Sequence, residues 1–143
     1  MMNHSALALL GFAAWTMMLL AGIALLRGIL TLRGVRKANS FAVGGEDVSP
    51  FSGRLCRAHA NCYENLPVFA SILAVAMFSG QAALTDPLAL WALGARVAQS
   101  SAHLISTRNR AVLLRFSCLM TQWVIQAYWL VRLLDHLLGH LQN

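Results

Sequence analysis

Charged residues are scarce in this chain of 143 residues: they make up 11% of it, whereas they form about 25% of an ordinary soluble domain. Hydrophobic residues account for 58%. So little charge cannot cover a water-facing surface of normal composition, which argues against a soluble globular domain. The composition therefore favours a protein that is solvated by a lipid bilayer.

Acidic residues are the scarcer of the two charged classes, with five Asp and Glu against eleven Lys and Arg, and the formal net charge is +6. A basic excess is common in nucleic-acid-binding proteins. The sequence has no nucleic-acid-binding motif and no glycine-rich phosphate loop, so we expect no nucleic acid partner. Its basic residues flank apolar runs, where such residues set membrane topology and contact anionic lipid headgroups.

Cysteine is also rare, since only Cys56, Cys62 and Cys118 are present. An odd count argues against a disulfide framework, and the spacing fits no metal-binding motif. His136 and His140 lie one helical turn apart but lack a third ligand. We therefore expect the cysteines to pack as small apolar residues, and we predict no metal site.

Long apolar runs are abundant, and four of them have the length of a membrane span: Ser5–Leu26, Leu66–Leu84, Pro87–Ile105 and Ala111–Leu134. The first has 22 residues without a charge, or about 33 Å of helix against a hydrocarbon core of about 30 Å. A signal peptide is the rival interpretation of this run, but no basic segment precedes it and its apolar core is long. Short connections favour antiparallel neighbours. The prediction is an all-α protein, an integral membrane up-down four-helix bundle with one domain over residues 1–143.

The basic residues are unevenly placed along the chain, which predicts the orientation of the bundle. Cations flank the first and third connections and are nearly absent from the outer ends of the spans; those flanking the connections are Arg27, Arg33, Arg36, Lys37, Arg54, Arg57, Arg108, Arg110 and Arg115. Positively charged flanks favour the cytoplasmic side. We therefore expect the first and third loops to be cytoplasmic and both termini to lie on the opposite side.

Two polar stripes are predicted on neighbouring helices. Arg57, Asn61 and Glu64 fall within an arc of about 60° around a helix. On the third predicted helix, a second stripe carries Arg96, Ser100, His103 and Thr107, with Gln99 at its edge. Polar groups in a membrane usually face a bundle interior, another charge or a cavity. One interpretation is an assembly seam with ion pairs from Glu64 to Arg57 or Arg96; the other is an anion site, because cations outnumber the acid.

The run from Arg57 to Pro67 (Arg-Ala-His-Ala-Asn-Cys-Tyr-Glu-Asn-Leu-Pro), preceded by Arg54, resembles the signature of the MAPEG family, the membrane-associated proteins of eicosanoid and glutathione metabolism. The resemblance extends to the chain length, the four apolar runs and three further basic positions. These are Arg36-Lys37 at the end of the first helix, Arg96 within the third and Arg110 at the start of the fourth.

What the resemblance implies is a homotrimer in the membrane that binds reduced glutathione between neighbouring subunits near the cytoplasmic face. Arg36, Arg57 and Arg96 would bind its carboxylates, Glu64 its amine, and Asn61 would supply an amide. Arg110 would stabilise the thiolate, with Arg108 and Arg115 as fallbacks. Gln99 and His103 stand where well-studied members have tyrosines, so they would bind the peptide in a different way.

The implied reactions join the glutathione thiol to lipophilic electrophiles, reduce lipid hydroperoxides or isomerise lipid epoxides and peroxides. The lipophilic substrate would enter from the bilayer and glutathione from the cytoplasm. The alternative is a non-catalytic membrane protein whose polar seam serves assembly, or the binding or transport of small anions. The sequence leaves both functions open.

Overall fold

The chain folds into four helices and no strand over residues 3–106 and 108–140, which are the residues that the structure, a computed structural model, describes. The helices are α1 (His4–Leu32), α2 (Pro50–Phe78), α3 (Ala82–Ile105) and α4 (Asn109–His140). The predicted all-α class is confirmed. Thr107, which the sequence places on the second polar stripe, lies outside the described residues.

The helix boundaries correct the predicted second and third spans. The run Leu66–Leu84 joins two helices, because α2 ends at Phe78 and α3 begins at Ala82. Gly80 makes this turn possible with a φ of 74°, which favours glycine. Pro87 lies inside α3 and does not start it, and the carboxylate of Asp86 accepts hydrogen bonds from the backbone N and Oγ of Ser5 at 2.8 and 2.6 Å.

Helices α1, α2 and α3 pack against one another, and α4 packs along α3 with a smaller contact to α2. Aromatic rings connect three of the helices: the Phe69 ring of α2 lies 5.1 Å from Phe12 of α1 and 6.2 Å from Trp129 of α4. At one end of the assembly, Arg54 near the start of α2 donates a hydrogen bond to the carbonyl of Leu104 at the end of α3. This end brings together the residues of the candidate site.

Two of the helices, α1 and α2, are long and apolar enough to cross a membrane. Many large apolar side chains point outward, including Leu10, Met17, Trp91 and Trp123, as expected where lipid is the solvent. Helices α3 and α4 do not meet the same criterion over the described ranges. The further crossings, the up-down arrangement in a bilayer and the sidedness of the loops stay predictions.

Candidate functional site

A cavity of about 370 Å³ lies where the start of α2, the end of α3 and the start of α4 meet the loop before α2. We call it the cationic cavity; its lining residues are Glu46, Pro50, Gly53, Arg54, Arg57, His103 and Arg115. Three guanidiniums face one carboxylate, so two positive charges of the lining are not balanced within it. The cavity is therefore suited to an anionic ligand.

The start of α2 is built to let the loop approach closely. Ser49 caps the helix by accepting a hydrogen bond from the backbone N of Ser52, and Pro50 occupies the first turn, where its missing N–H costs nothing. A Cβ added at Gly53 would stand 2.9 Å from Cγ of Glu46. Glycine at position 53 therefore allows the loop to place the Glu46 carboxylate at the cavity.

Asn61 connects the two predicted polar stripes. Its side-chain nitrogen donates to the carbonyl of Arg57 at 3.1 Å and lies 3.2 Å from Nε2 of His103. Its backbone carbonyl accepts a hydrogen bond from Nη1 of Arg96 at 3.2 Å. The structure thus brings together four of the residues that the sequence singled out.

His103 also contacts Arg115, which was predicted only as an alternative to Arg110 for stabilising the thiolate. Nη1 of Arg115 lies 2.8 Å from Nδ1 of His103. Because arginine can only donate hydrogen bonds, Nδ1 is the acceptor, and a doubly protonated ring would lose the contact. The contact holds the Arg115 guanidinium at the cavity. The sequence could have indicated this contact, because Arg115 lies in the second turn of α4 and a short connection places the start of α4 beside the end of α3.

Arg96 lies behind the cavity, not in its lining. The side chain is 1% exposed, and its guanidinium stands 5.2 Å from the centre of the Phe12 ring. Nε and Nη2 have no hydrogen-bond partner among the described residues, and no carboxylate pairs with this cation there. The ion pair between Glu64 and Arg96, which the assembly-seam interpretation would require, is therefore not formed in the single chain.

Two carboxylates of the loop before α2 form ion pairs with arginines that were predicted to bind a ligand. Oε1 of Glu46 lies 3.0 Å from Nη2 of Arg57, so this arginine pairs with the loop and not with Glu64, the partner that the assembly-seam interpretation offered. Asp47 forms an ion pair with Arg36, and Nη2 of Arg36 also donates to the Asp47 carbonyl at 2.8 Å. Arg36 does not line the cationic cavity.

Asp47 is held in its ionised form by these contacts. Desolvation raises the pKa of its carboxyl, but the hydrogen bond from the Ala42 amide and the hydrogen bond and charge of Arg36 outweigh it. The pKa of Asp47 therefore lies below its ordinary value of 3.8. The loop is fastened to Arg36 at neutral pH.

Gln99 lies in the seam between α3 and α4. Its Oε1 accepts a hydrogen bond of 3.0 Å from Nε2 of Gln122, and the two residues are 3% and 1% exposed. Further along, Nε2 of Gln126 donates to Oδ1 of Asn65 at 3.2 Å. A second cavity of about 250 Å³, the α2–α4 groove, begins at these two amides and is otherwise apolar; its other lining residues are Val68, Ile72, Trp123, Ala127 and Leu130.

Glu64 and Arg110 are exposed on the single chain. Neither side chain makes a hydrogen bond or an ion pair within the described residues, and neither lines the cationic cavity. Arg108 is likewise exposed. The roles that the sequence assigns to Arg110 and Glu64 therefore stay predictions.

Apolar helices of spanning length and a basic cavity at one end of the assembly define the class: an integral membrane protein of the all-α type. The particular family follows from comparison with known families. The model of the MAPEG family matches residues 5–135, and the chain belongs to this family. No curated protein and no solved structure is significantly similar to the chain.

Proposed function

We propose that the protein is a membrane-embedded glutathione-dependent transferase or peroxidase that activates the glutathione thiolate toward lipophilic electrophiles or lipid hydroperoxides. The observation that carries the proposal is the cationic cavity, in which Arg54, Arg57 and Arg115 face the single carboxylate of Glu46. An acidic tripeptide supplies the missing negative charge. The MAPEG family is associated with glutathione and eicosanoid metabolism, which supports this ligand.

The charges of glutathione match the polar groups at this end of the molecule. Its two carboxylates are partners for guanidiniums such as those of Arg57 and Arg36, and its ammonium is a partner for the unpaired carboxylate of Glu64. In the single chain Glu46 pairs with Arg57 and Asp47 pairs with Arg36. Glutathione would therefore bind by replacing each of these carboxylates with one of its own. The Arg57 side chain is 70% exposed, and an exposed ion pair contributes only about 0–1 kcal/mol, so the exchange is inexpensive.

The chemical step requires the thiolate, because the neutral thiol is a poor nucleophile and has a pKa of about 8.5. A guanidinium close to the sulfur lowers the pKa of the thiol by favouring its charged form. We assign this role to Arg110, which enters α4 next to Asn109, where the helix dipole also favours an anion. Arg115 is the competing candidate, because it already lines the cavity.

The lipophilic substrate is assigned to the α2–α4 groove. This groove follows the cationic cavity along the same two helices and is lined mainly by apolar side chains, with Asn65 and Gln126 at its polar end. Such a path lets an apolar molecule enter from the lipid while glutathione enters from water. The thiolate would attack the electrophilic carbon, forming a C–S bond while the bond from that carbon to the leaving group breaks with its electron pair. With a lipid hydroperoxide it would attack the terminal oxygen, forming an S–O bond while the O–O bond breaks and the departing alkoxide takes up a proton; a second glutathione would then reduce the sulfenic acid to the disulfide and release water.

The site is proposed to be completed in a homotrimer, with glutathione between neighbouring copies. Two observations support this assembly: Glu64 and Arg110 are exposed without partners among the described residues of the single chain, and Arg36 stands outside the cavity of its own chain. A neighbouring copy would bring these groups to a shared site.

A second candidate function is supported by the pairing of Arg57 and Arg36 with carboxylates of the chain. Such pairs also suit a non-catalytic protein in which the polar seam serves assembly or the binding or transport of small anions. Saturable anion flux in vesicles, independent of glutathione, would favour this candidate over the enzyme.

The decisive experiment is ultraviolet difference spectroscopy of the detergent-purified protein on addition of glutathione, together with calorimetry. We expect a thiolate absorption at neutral pH and measurable heat in the wild type. Arg57→Ala should lose at least about tenfold in affinity, because hydrogen bonds to charged groups contribute about 1.5–3 kcal/mol. Arg33→Ala is the matched control, since Arg33 is exposed and lies outside the cavity. A wild type that gives neither heat nor thiolate absorption refutes the proposal.

A further inference from the structure

A third polar feature lies near the end of α1, in a cleft that shares no lining residue with the cationic cavity. Arg27 is the first charged residue after the 22-residue charge-free run that opens α1. Because that run spans about 33 Å, close to the thickness of the hydrocarbon core, Arg27 stands at the level of the lipid phosphates. A cleft of about 450 Å³ opens beside it, and its lining residues are Arg27, Gly28, Thr31, Leu32, Ala38, Asn39 and Phe41. We call this the Arg27 cleft.

The charge of Arg27 is not neutralised within the described residues. Its Nη2 donates to the carbonyls of Ala42 and Val43 at 2.8 and 3.4 Å, and its guanidinium lies 5.5 Å from the centre of the Phe41 ring. Carbonyls and a ring orient the cation but add no negative charge. Its Nε is buried and has no hydrogen-bond partner among the described residues. An anion at the cleft would satisfy both the donor and the charge.

The surroundings of the cleft are amphipathic. The amide of Asn39 and the cation lie on one side, while the apolar side chains of Leu25, Ile29 and Leu32 are 66%, 39% and 89% exposed along α1. Arg33 and Lys37 are exposed at the same end of the helix. A zwitterionic headgroup would bring its own ammonium among these cations, whereas an acidic headgroup adds a net negative charge.

We propose that the Arg27 cleft binds one acidic phospholipid per chain, with the phosphate on Arg27 and Asn39 and the acyl chains along Leu25, Ile29 and Leu32. This site is separate from the cationic cavity, and it requires no glutathione. Arg27 bonded to the loop and to a lipid phosphate at once would anchor the loop at the membrane surface.

The test is native mass spectrometry of delipidated protein in detergent, titrated with phosphatidylglycerol or with phosphatidylcholine of the same acyl chains. We expect one phosphatidylglycerol per chain, bound at least about tenfold more tightly than phosphatidylcholine. Gly28→Leu should abolish this preference, because a Cβ at Gly28 meets no atom within 4 Å and a larger side chain would fill the cleft. Gly94→Leu is its matched control, since Gly94 in α3 is equally unobstructed and lines none of the three cavities described above.

A second pair of variants tests the charge. Arg27→Gln should weaken phosphatidylglycerol binding at least about tenfold, whereas Arg33→Gln should weaken it about fivefold or less, as expected for a cation that acts only through the surface potential. Gly28→Leu keeps the test decisive if Arg27→Gln does not fold. Wild-type lipid binding in Gly28→Leu overturns the proposal. Displacement of phosphatidylglycerol by an equal concentration of inorganic phosphate also overturns it, because the cleft would then recognise phosphate alone.

Discussion

At the scale of single residues, the arginines predicted to hold an acidic ligand are already in contact with acids of the chain itself. Glu46 binds Arg57 and Asp47 binds Arg36, and both acids lie in the loop between α1 and α2. Two adjacent carboxylates on one segment resemble in charge the two carboxylates of glutathione. The loop therefore competes with the proposed ligand, and its acids set the energetic cost of binding.

Neutralising Glu46 should strengthen glutathione binding. In Glu46→Gln the ligand no longer displaces a carboxylate from Arg57, and the cavity gains one net positive charge. Because exposed ion pairs contribute about 0.2–1 kcal/mol, we expect a decrease in the dissociation constant of about 1.5- to 5-fold by calorimetry. Asp135→Asn, which removes an exposed carboxylate near the other end of α4, should leave it unchanged. Weaker binding in Glu46→Gln would show that Glu46 assists the ligand.

Asp47 should control how firmly the loop is held in acid. Its pKa is lower in the folded protein than in the unfolded chain, so the ionised carboxylate stabilises the loop above pH 3.8 and this contribution is lost as the pH falls through the folded value. Carbon-detected NMR titration of the Asp47 carboxyl should give a midpoint below 3.8, and Arg36→Gln should raise it. An unchanged midpoint in Arg36→Gln would show that the ion pair does not hold in solution.

The thiolate should distinguish Arg110 from Arg115. With glutathione bound, Arg110→Ala should lose the thiolate absorption at pH 7 while retaining most of the affinity, because the carboxylates are held elsewhere. Arg115→Ala should weaken binding and leave the thiolate absorption of the bound fraction intact. Stopped-flow ultraviolet spectra at saturating glutathione separate these effects. The reverse result moves the activating role to Arg115 and keeps the mechanism, and loss of the thiolate absorption in Arg108→Ala alone would move that role to Arg108, the other fallback.

The contacts that depend on helical periodicity could be predicted from the sequence. Arg57 and Asn61 share a face of α2, and Arg96 and His103 share a face of α3, so their meeting follows from the 3.6-residue repeat and from packing. Glu46 was not predicted, because its place at the cavity depends on the path of an irregular loop. The Arg115–His103 pair depends on how far α4 folds back along α3, which periodicity does not determine.

At the scale of helices, the amides of Gln99 and Gln122 hold α4 to α3. Their hydrogen bond is buried, and Nε2 of Gln122 also donates to the carbonyl of Cys118 at 2.8 Å. A buried amide in an apolar seam needs such a partner, because an unsatisfied group costs about 1–3 kcal/mol. The helix boundaries are harder to predict from the sequence. The apolar run continues across the turn between Phe78 and Ala82, and hydropathy carries no information about the positive φ of Gly80 that forms this turn.

A double-mutant cycle measures what this amide pair contributes. Gln99→Leu or Gln122→Leu alone should destabilise the helical assembly by about 1–3 kcal/mol, since each leaves one amide without its partner. The double variant should lose less free energy of unfolding than the two single variants together. We expect a coupling energy of about 0.6–1.7 kcal/mol, the average and the maximum measured for hydrogen bonds between membrane helices. Reversible unfolding in mixed micelles gives these values. Additive effects would show that the two amides do not interact. Thr121→Leu, on the exposed face of α4, is the control.

At the scale of the whole molecule, the single chain leaves large apolar surfaces uncovered. Helix α4 contacts α3 and, less extensively, α2, and much of its circumference is exposed, including Leu113, Trp123, Val124 and Val131. Lipid covers such a surface, and so does a neighbouring copy. Polar groups exposed among apolar ones, such as Glu64, favour a neighbouring copy over lipid at their positions, because an unpaired charge facing lipid is costly.

The proposed trimer should be detectable in mixtures of variant chains that do not bind glutathione on their own. Arg36 does not line the cationic cavity that holds Arg57 in the same chain, and in the proposed shared site the two arginines come from different copies. Arg36→Ala and Arg57→Ala should each lose glutathione binding alone, and chains of both kinds expressed together should regain part of it, since some sites then combine an intact Arg36 with an intact Arg57. Native mass spectrometry should show species at three times the 15.6 kDa chain mass. Mixed assemblies that bind no glutathione would place both arginines in one chain, and a monomeric mass would remove the shared site altogether.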